Sequence, residues 1–205
     1  LFPYTTLFRS QVLLPGQTGN ALQKMRSLIA MLAFRCGLRR GECLRLRLCD
    51  FHPGSLPELL VRNSRYGRTK SSSSVRRLPL QALLTDDQLQ SLKDWVDFRA
   101  SVVGSTSSEA LMFDVPGPLG AEKALMTPIR MALHQVTGDT TLRFHHLRHS
   151  FATWTLVRLM IPDLPELRAP FAQHPDFGLN ACQNLRKQLL HNRSAEIGRA
   201  SCRER

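Results

Sequence analysis

The stretch FHHLRHSFAT, residues 144–153, decides how this chain is read. Leu147, Phe151 and Trp154 recur at spacings of four and three, which predicts one apolar face of a helix from about His146 to Met160. His145 and Arg148 stand three residues apart, so at a helix start they project from the same side, one turn apart. A planar guanidinium matches two phosphate oxygens at once and stays charged at any working pH. An imidazole can move a proton in either direction near neutrality. His145, His146 and His149 have no acidic or cysteine partner close in sequence, so no metal is expected there. A lone His-x-x-Arg carries little information; the residues around it decide its meaning.

Working toward the amino terminus, a second basic group appears in GLRRGECLRLRLCDF, residues 37–51. It follows a predicted helix from about Asn20 to Cys36, with Leu22, Met25, Ile29 and Leu32 on one face and Gly37 as its stop. Within it, Arg39 and Arg40 lie beside Glu42, and Leu44, Leu46 and Leu48 alternate with Arg45 and Arg47. Periodicity alone reads that alternation as a strand. Between the two groups, PELLVRN (57–63) and SVRRLPL (74–80) are β-prone and predict a hairpin with a long tip. The tip carries Lys70, flanked by Arg65, Arg68, Arg76 and Arg77.

Two arginines, a lysine and a histidine, with no carboxylate pair, suit attack on a phosphodiester. The pentavalent transition state gathers negative charge on its non-bridging oxygens, and preplaced guanidiniums stabilise it by about a few kcal/mol each. A lysine among other cations has its ammonium form disfavoured, which makes it an acid for a departing sugar oxygen.

The rest of the chain supplies scaffold. Thr85 to Gln88 has the form of a capping box before a helix burying Leu89, Leu92 and Val96, and Ser101–Ser108 reads as a loop. Thr127 and Pro128 read as N-cap and first residue of a helix closing near Gly138. Pro162, Pro165, Pro170 and Pro175 break the pattern over 161–180, predicting an irregular insertion outside the core, before a last helical piece, NACQNLRKQLL (180–190). The fold class expected is mainly α with a small β-hairpin or sheet, α+β.

These three segments resemble the motifs of the tyrosine recombinases, the phage-type integrases. GLRRGECLRLRLCDF is similar to their first arginine box, TKSSSSVRRLPL (69–80) to their lysine hairpin, and FHHLRHSFAT to their second box. The resemblance covers about Leu22 to Met160. It implies that Arg39 and Arg148 pair on the scissile phosphate, that Lys70 is the general acid for the 5′-oxygen, and that His145 assists proton transfer. Glu42 would fix the arginine turn and His149 would help orient the site. It also implies a helix near Arg40 to Leu46, where a packed scaffold overrides alternation. In the family a tyrosine attacks DNA and leaves a 3′-phosphotyrosine, with neither metal nor ATP, and a homo-tetramer exchanges strands between duplexes. The family's Leu-Gly-His segment and nucleophilic tyrosine belong after the second box, where this sequence has neither; Leu190-His191 is a faint echo.

Charge agrees with a double-stranded DNA partner. The chain carries +12, with 42% hydrophobic and 21% charged residues; such an excess speaks of partners rather than fold. No apolar run approaches the roughly 20 residues of a membrane span, and a bacterial-type cytoplasmic, nucleoid-associated location is expected. Cys36, Cys43, Cys49 and Cys182 show no CxxC spacing and read as small buried residues or free thiols.

Both ends read as foreign. YTTLFRS (4–10) and IGRASC (197–202) can be encoded by opposite strands of one oligonucleotide that looks like a sequencing adapter. Residues 1–10 and 196–205 are therefore set aside, leaving residues 11–195 as a partial catalytic domain of about 185 residues, the size of one domain. Without the ends' net +2 the charge is +10, and Tyr66 is the single native tyrosine. The expectation is a recombinase fragment cut before its nucleophile and inactive as it stands. The competing readings are a non-catalytic DNA-binding remnant and a type IB topoisomerase; a helix-turn-helix regulator would explain the charge but not the spaced basic set.

Overall fold

A computed structural model describes residues 21–67, 75–104, 108–115, 120 and 122–191. The two ends set aside as adapter, and Lys70 with its neighbour Arg68, lie outside the described residues. The chain divides into two compact units, Leu1–Ala152 and Thr153–Arg205.

The first unit is built on helix α1 (Ala21–Cys36), whose Leu28, Ile29, Ala30, Met31, Leu32 and Ala33 are buried almost completely. A helix apolar on so much of its circumference belongs at the centre of a core. It packs against α2 (Arg40–Cys43), α3 (Leu80–Leu83), α4 (Asp86–Val103), a π-helical turn (Glu122–Met126) and α5 (Thr127–Thr137). Gly37 ends α1 with φ +66°, a conformation that costs a side-chain-bearing residue but not glycine.

The three-stranded antiparallel sheet has order β1 (Phe51–His52), β2 (Glu58–Val61), β3 (Arg76–Pro79), with Leu59 opposite Leu78 and Val61 opposite Arg76. The predicted hairpin is present as β2 and β3, β1 adds an edge, and α3 follows at once. The mainly helical α+β class is the one observed.

Local differences from the sequence reading have identifiable causes. The alternating leucines do not form a regular strand: α2 takes Arg40–Cys43, a turn follows, and Leu48–Asp50 is a 3₁₀ turn. The implied helix over Arg40 to Leu46 is likewise shorter than expected. A buried carboxylate is responsible. Asp50 accepts from the Arg47 amide (3.0 Å), Arg47 Nε (3.1 Å), Arg47 Nη2 (2.9 Å) and Arg62 Nε (2.8 Å), and Arg47 also pairs with Glu109. A buried charge without partners would be costly, so the chain curls to supply them. The alternation survives as one antiparallel bridge, Arg47 with Leu111.

Helix α4 starts where the capping box placed it: Gln88 N–H donates to Thr85 Oγ1 (3.4 Å) and Thr85 N–H to Gln88 Oε1 (3.1 Å). It runs on to Val103, through residues expected as loop. Thr127 is not the cap of α5 but its first residue, because the π-helical turn before it already presents helical geometry at Met126. Helix α6 (Phe144–Met160) begins two residues before the position expected from periodicity.

In the second unit, 3₁₀ segments Pro165–Phe171 and Pro175–Phe177 precede helix α7 (Leu179–His191). The prolines do exclude regular helix, yet the segment is not outside every core. Ile161, Phe177 and Cys182 are buried together, with Trp154, Val157, Leu167 and Phe171 packed around them. No helix among the described residues is long and apolar enough to cross a membrane. The four described cysteines are free thiols, three of them buried; burial pushes the Cys36 thiol up to about 12.

Candidate nucleic-acid phosphate site

The site starts from the sharp turn that Gly37 permits. Arg39 sits in extended backbone at the mouth of α2 (φ −75°, ψ 155°). Its amide donates to Glu42 Oε2 (2.8 Å) and its Nη1 to Glu42 Oε1 (3.0 Å). One side chain thus fixes both the backbone and the guanidinium of Arg39. Glu42 is 5% exposed, so its charge must be met inside the protein.

Strand β3 brings a second cation. Arg76 Nη1 and Nη2 fork onto the two Glu42 oxygens at 3.2 and 2.9 Å, the bidentate geometry that makes guanidinium–carboxylate pairs strong. Helix α6 brings a third. Arg148 donates from Nη1 to the Gly37 carbonyl and lies 3.9 Å from Glu42 Oε2. Arg39, Arg76 and Arg148 thereby share one buried carboxylate, and their side chains remain 39%, 25% and 36% exposed. The cluster carries more positive than negative charge and reaches solvent, the electrostatics of an anion site.

The titration behaviour follows from this crowding. Burial pushes the Glu42 carboxyl up, but the hydrogen bonds from Arg76 and the Arg39 amide outweigh it and hold the group below its ordinary range. Arg148 is shifted down by burial first, then by the like charges of Arg39 and Arg76, with Glu42 opposing.

The joint between the two boxes is steric as well as polar. A Cβ on Gly37 would stand 2.3 Å from Phe151 Cδ1, so the ring occupies the space a side chain would need. Gly37 therefore receives both Arg148 and Phe151 from α6.

His145 is exposed one turn before Arg148, its ring 4.1 Å from that of His146 and 5.4 Å from that of His149. His146 has a local duty: its Nδ1 accepts from the Arg143 amide at 2.8 Å. The His145 imidazole is lowered from its ordinary value by partial desolvation, then by His146, His149 and Arg143. No group of three or more His, Cys, Asp or Glu side chains that could hold a metal is present among the described residues.

Of the residues singled out from sequence, Arg39, Glu42 and Arg148 are brought together, His145 lies one turn from Arg148, and Lys70 is outside the described residues. Arg65 and Arg77 are engaged elsewhere, with the Tyr66 hydroxyl (2.7 Å) and Glu58 (3.2 Å) respectively. Tyr66 also donates to the Glu109 carbonyl at 3.5 Å. By sequence Arg76 groups with the hairpin tip, not with Arg39. Its signal was available in β3, where it shares a strand face with the buried Leu78.

The model of the phage integrase family matches residues 15–162, which contain both arginine boxes and the hairpin between them. The chain belongs to the phage integrase family. No curated protein and no solved structure matches it. Membership of the integrase family assigns the chain, in general terms, to site-specific DNA recombination and integration, and hence to DNA as partner. The integrase match takes in all of α1 to α6 and ends at Pro162.

Proposed function

We propose that this chain forms the phosphate-holding part of a tyrosine recombinase active site. Arg39 and Arg148 clamp the non-bridging oxygens of the scissile phosphate on double-stranded DNA. Lys70 protonates the departing 5′-oxygen, and His145 assists proton transfer at the nucleophile. The nucleophile is a tyrosine that forms a 3′-phosphotyrosine link, and it is none of the described residues, since no tyrosine follows Arg148 in this sequence. Bond energy is conserved in that link, so strand exchange within a homo-tetramer on DNA needs neither metal nor ATP. Residues 1–10 and 196–205 are, on this reading, not native. The observation that carries the proposal is the convergence of Arg39 and Arg148, 109 positions apart in sequence, on Glu42.

The test is covalent trapping on a nicked duplex that carries the exchange site, using the protein with its reading frame continued beyond Ala195. An adduct resistant to denaturant is expected from that protein and none from the 205-residue chain. An adduct formed by the 205-residue chain itself would overturn the placement of the nucleophile. Absence of any adduct from the continued protein would favour a DNA-binding remnant.

A further inference from the structure

The roles assigned above leave Arg76 without one, although it forks onto both oxygens of Glu42 (3.2 and 2.9 Å) from the first residue of β3. Glu42 poses a difficulty for a phosphate clamp. A buried carboxylate among guanidiniums competes for the donors that a phosphate needs, and Arg39 Nη1 already meets it at 3.0 Å. Arg148 nevertheless stands 3.9 Å from Glu42, beyond hydrogen-bond reach, while Arg76 lies within it on both oxygens. Arg76 is also the least exposed of the three cations, at 25% against 39% and 36%.

We propose that Arg76 is a positioning residue that satisfies Glu42 from the hairpin side, so that Arg39 and Arg148 keep donors turned toward a DNA phosphate. The inference rests on the reading of Arg39 and Arg148 as the phosphate clamp. It gives the strand after Lys70 a second duty: β3 completes the arginine turn, and hairpin and turn are tied by one side chain. The charges facing Glu42 in the described residues are Arg39, Arg76 and Arg148, and the buried Cys43 thiol adjoins it. With Arg76 gone, Arg148 would close from 3.9 Å onto the carboxylate that Arg39 Nη1 already meets at 3.0 Å.

A double-mutant cycle on the 205-residue chain tests this, with a duplex oligonucleotide of mixed sequence as probe at fixed salt. Arg76→Gln should weaken duplex binding about fivefold or more, and the same change in a Glu42→Gln background should cost much less, because the competitor is gone. Arg76→Lys keeps the charge and loses the fork, and should fall between wild type and Arg76→Gln. The carboxyl ¹³C resonance of Glu42 should titrate at higher pH in Arg76→Gln and return toward the wild-type midpoint in Arg76→Lys. Equal losses in both backgrounds would mean that Arg76 meets DNA itself, which overturns the proposal; so would an unchanged affinity in Arg76→Gln. If Arg76→Gln fails to fold, the binding and Glu42 titration of Arg76→Lys decide. If Arg39→Ala and Arg148→Ala leave binding unchanged, the clamp reading itself falls. If those two weaken binding while Arg76→Gln does not, only the role of Arg76 falls.

Discussion

The Phe151 ring fills the place where Gly37 would carry a side chain, its Cδ1 2.3 Å from an ideal Cβ. The glycine of the first box is thus the seat of the second box, and the same residue's carbonyl receives Arg148. Gly37→Ala should suffer twice: a φ of +66° disfavours any side chain, and the new methyl meets the ring. The sum is about 2–5 kcal/mol, from about 1–2 for the backbone and about 1–3 for overpacking. Urea unfolding measures it. Phe151→Leu should recover part of the loss in the double variant but not the backbone share. A Gly37→Ala protein as stable as wild type would remove the steric joint between the boxes.

Glu42 makes stability depend on acid. Its folded-state pKa is depressed, so its contribution is fully present above the ordinary carboxylate value of 4.5 and is lost as pH falls through the lower folded value. Glu42→Gln should therefore be less stable than wild type at pH 7, by about 1–3 kcal/mol given partners that reach solvent. It should also lose the part of the acid sensitivity that lies below 4.5. Thermal unfolding across that range provides the comparison, and parallel curves for the two proteins would contradict the assignment.

Much of this was legible in the sequence where a local rule and the packing agree. Thr85 and Gln88 announced the start of α4, and Gly37 the end of α1, because a cap and a left-handed turn depend on few neighbours. The leucines after Arg45 misled because their alternation is answered by one bridge to Leu111, while Asp50 draws Arg47 and Arg62 into a buried ion cluster. No periodicity records a contact between residues 12 apart, as Arg62 and Asp50 are. The meeting of Arg39 with Arg148 is longer in range still, and the sequence offered it only through resemblance to a family. Arg76 escaped because its neighbours in sequence pointed to the hairpin tip, whereas its strand face pointed to Glu42.

Binding to duplex DNA should be strongly electrostatic. The chain carries +12, and Arg39 and Arg148 remain more than a third exposed around a single carboxylate. Each phosphate neutralised releases counterions, so log K should fall linearly with log salt, with a slope near −0.9 per contact. Arg39→Ala or Arg148→Ala should reduce the magnitude of the slope by about one and weaken binding to all sequences alike. In a protein that completes the reaction the same changes should cost orders of magnitude in cleavage, because the proposed clamp would act mainly on the transition state. Fluorescence anisotropy over a salt series reads the first effect and single-turnover cleavage the second. A salt slope unchanged in both variants would place neither arginine on a phosphate.

His145 should titrate below 6.5, its ordinary value, because partial desolvation and the neighbouring His146, His149 and Arg143 all disfavour the imidazolium. The sign matters for the chemistry. A depressed pKa leaves the ring neutral at pH 7, able to accept a proton, and keeps it so somewhat into the acid range. His149→Gln removes one like charge and should move the midpoint up, toward 6.5, without disturbing the Arg143–His146 hydrogen bond at the start of α6. Proton NMR of the imidazole Hε1 resonances follows both midpoints directly. In an enzyme that cleaves, the acid limb of the pH–rate profile should shift with the same sign. A His145 midpoint at or above 6.5 would leave the ring largely charged in mildly acidic solution and would count against its proposed part in proton transfer.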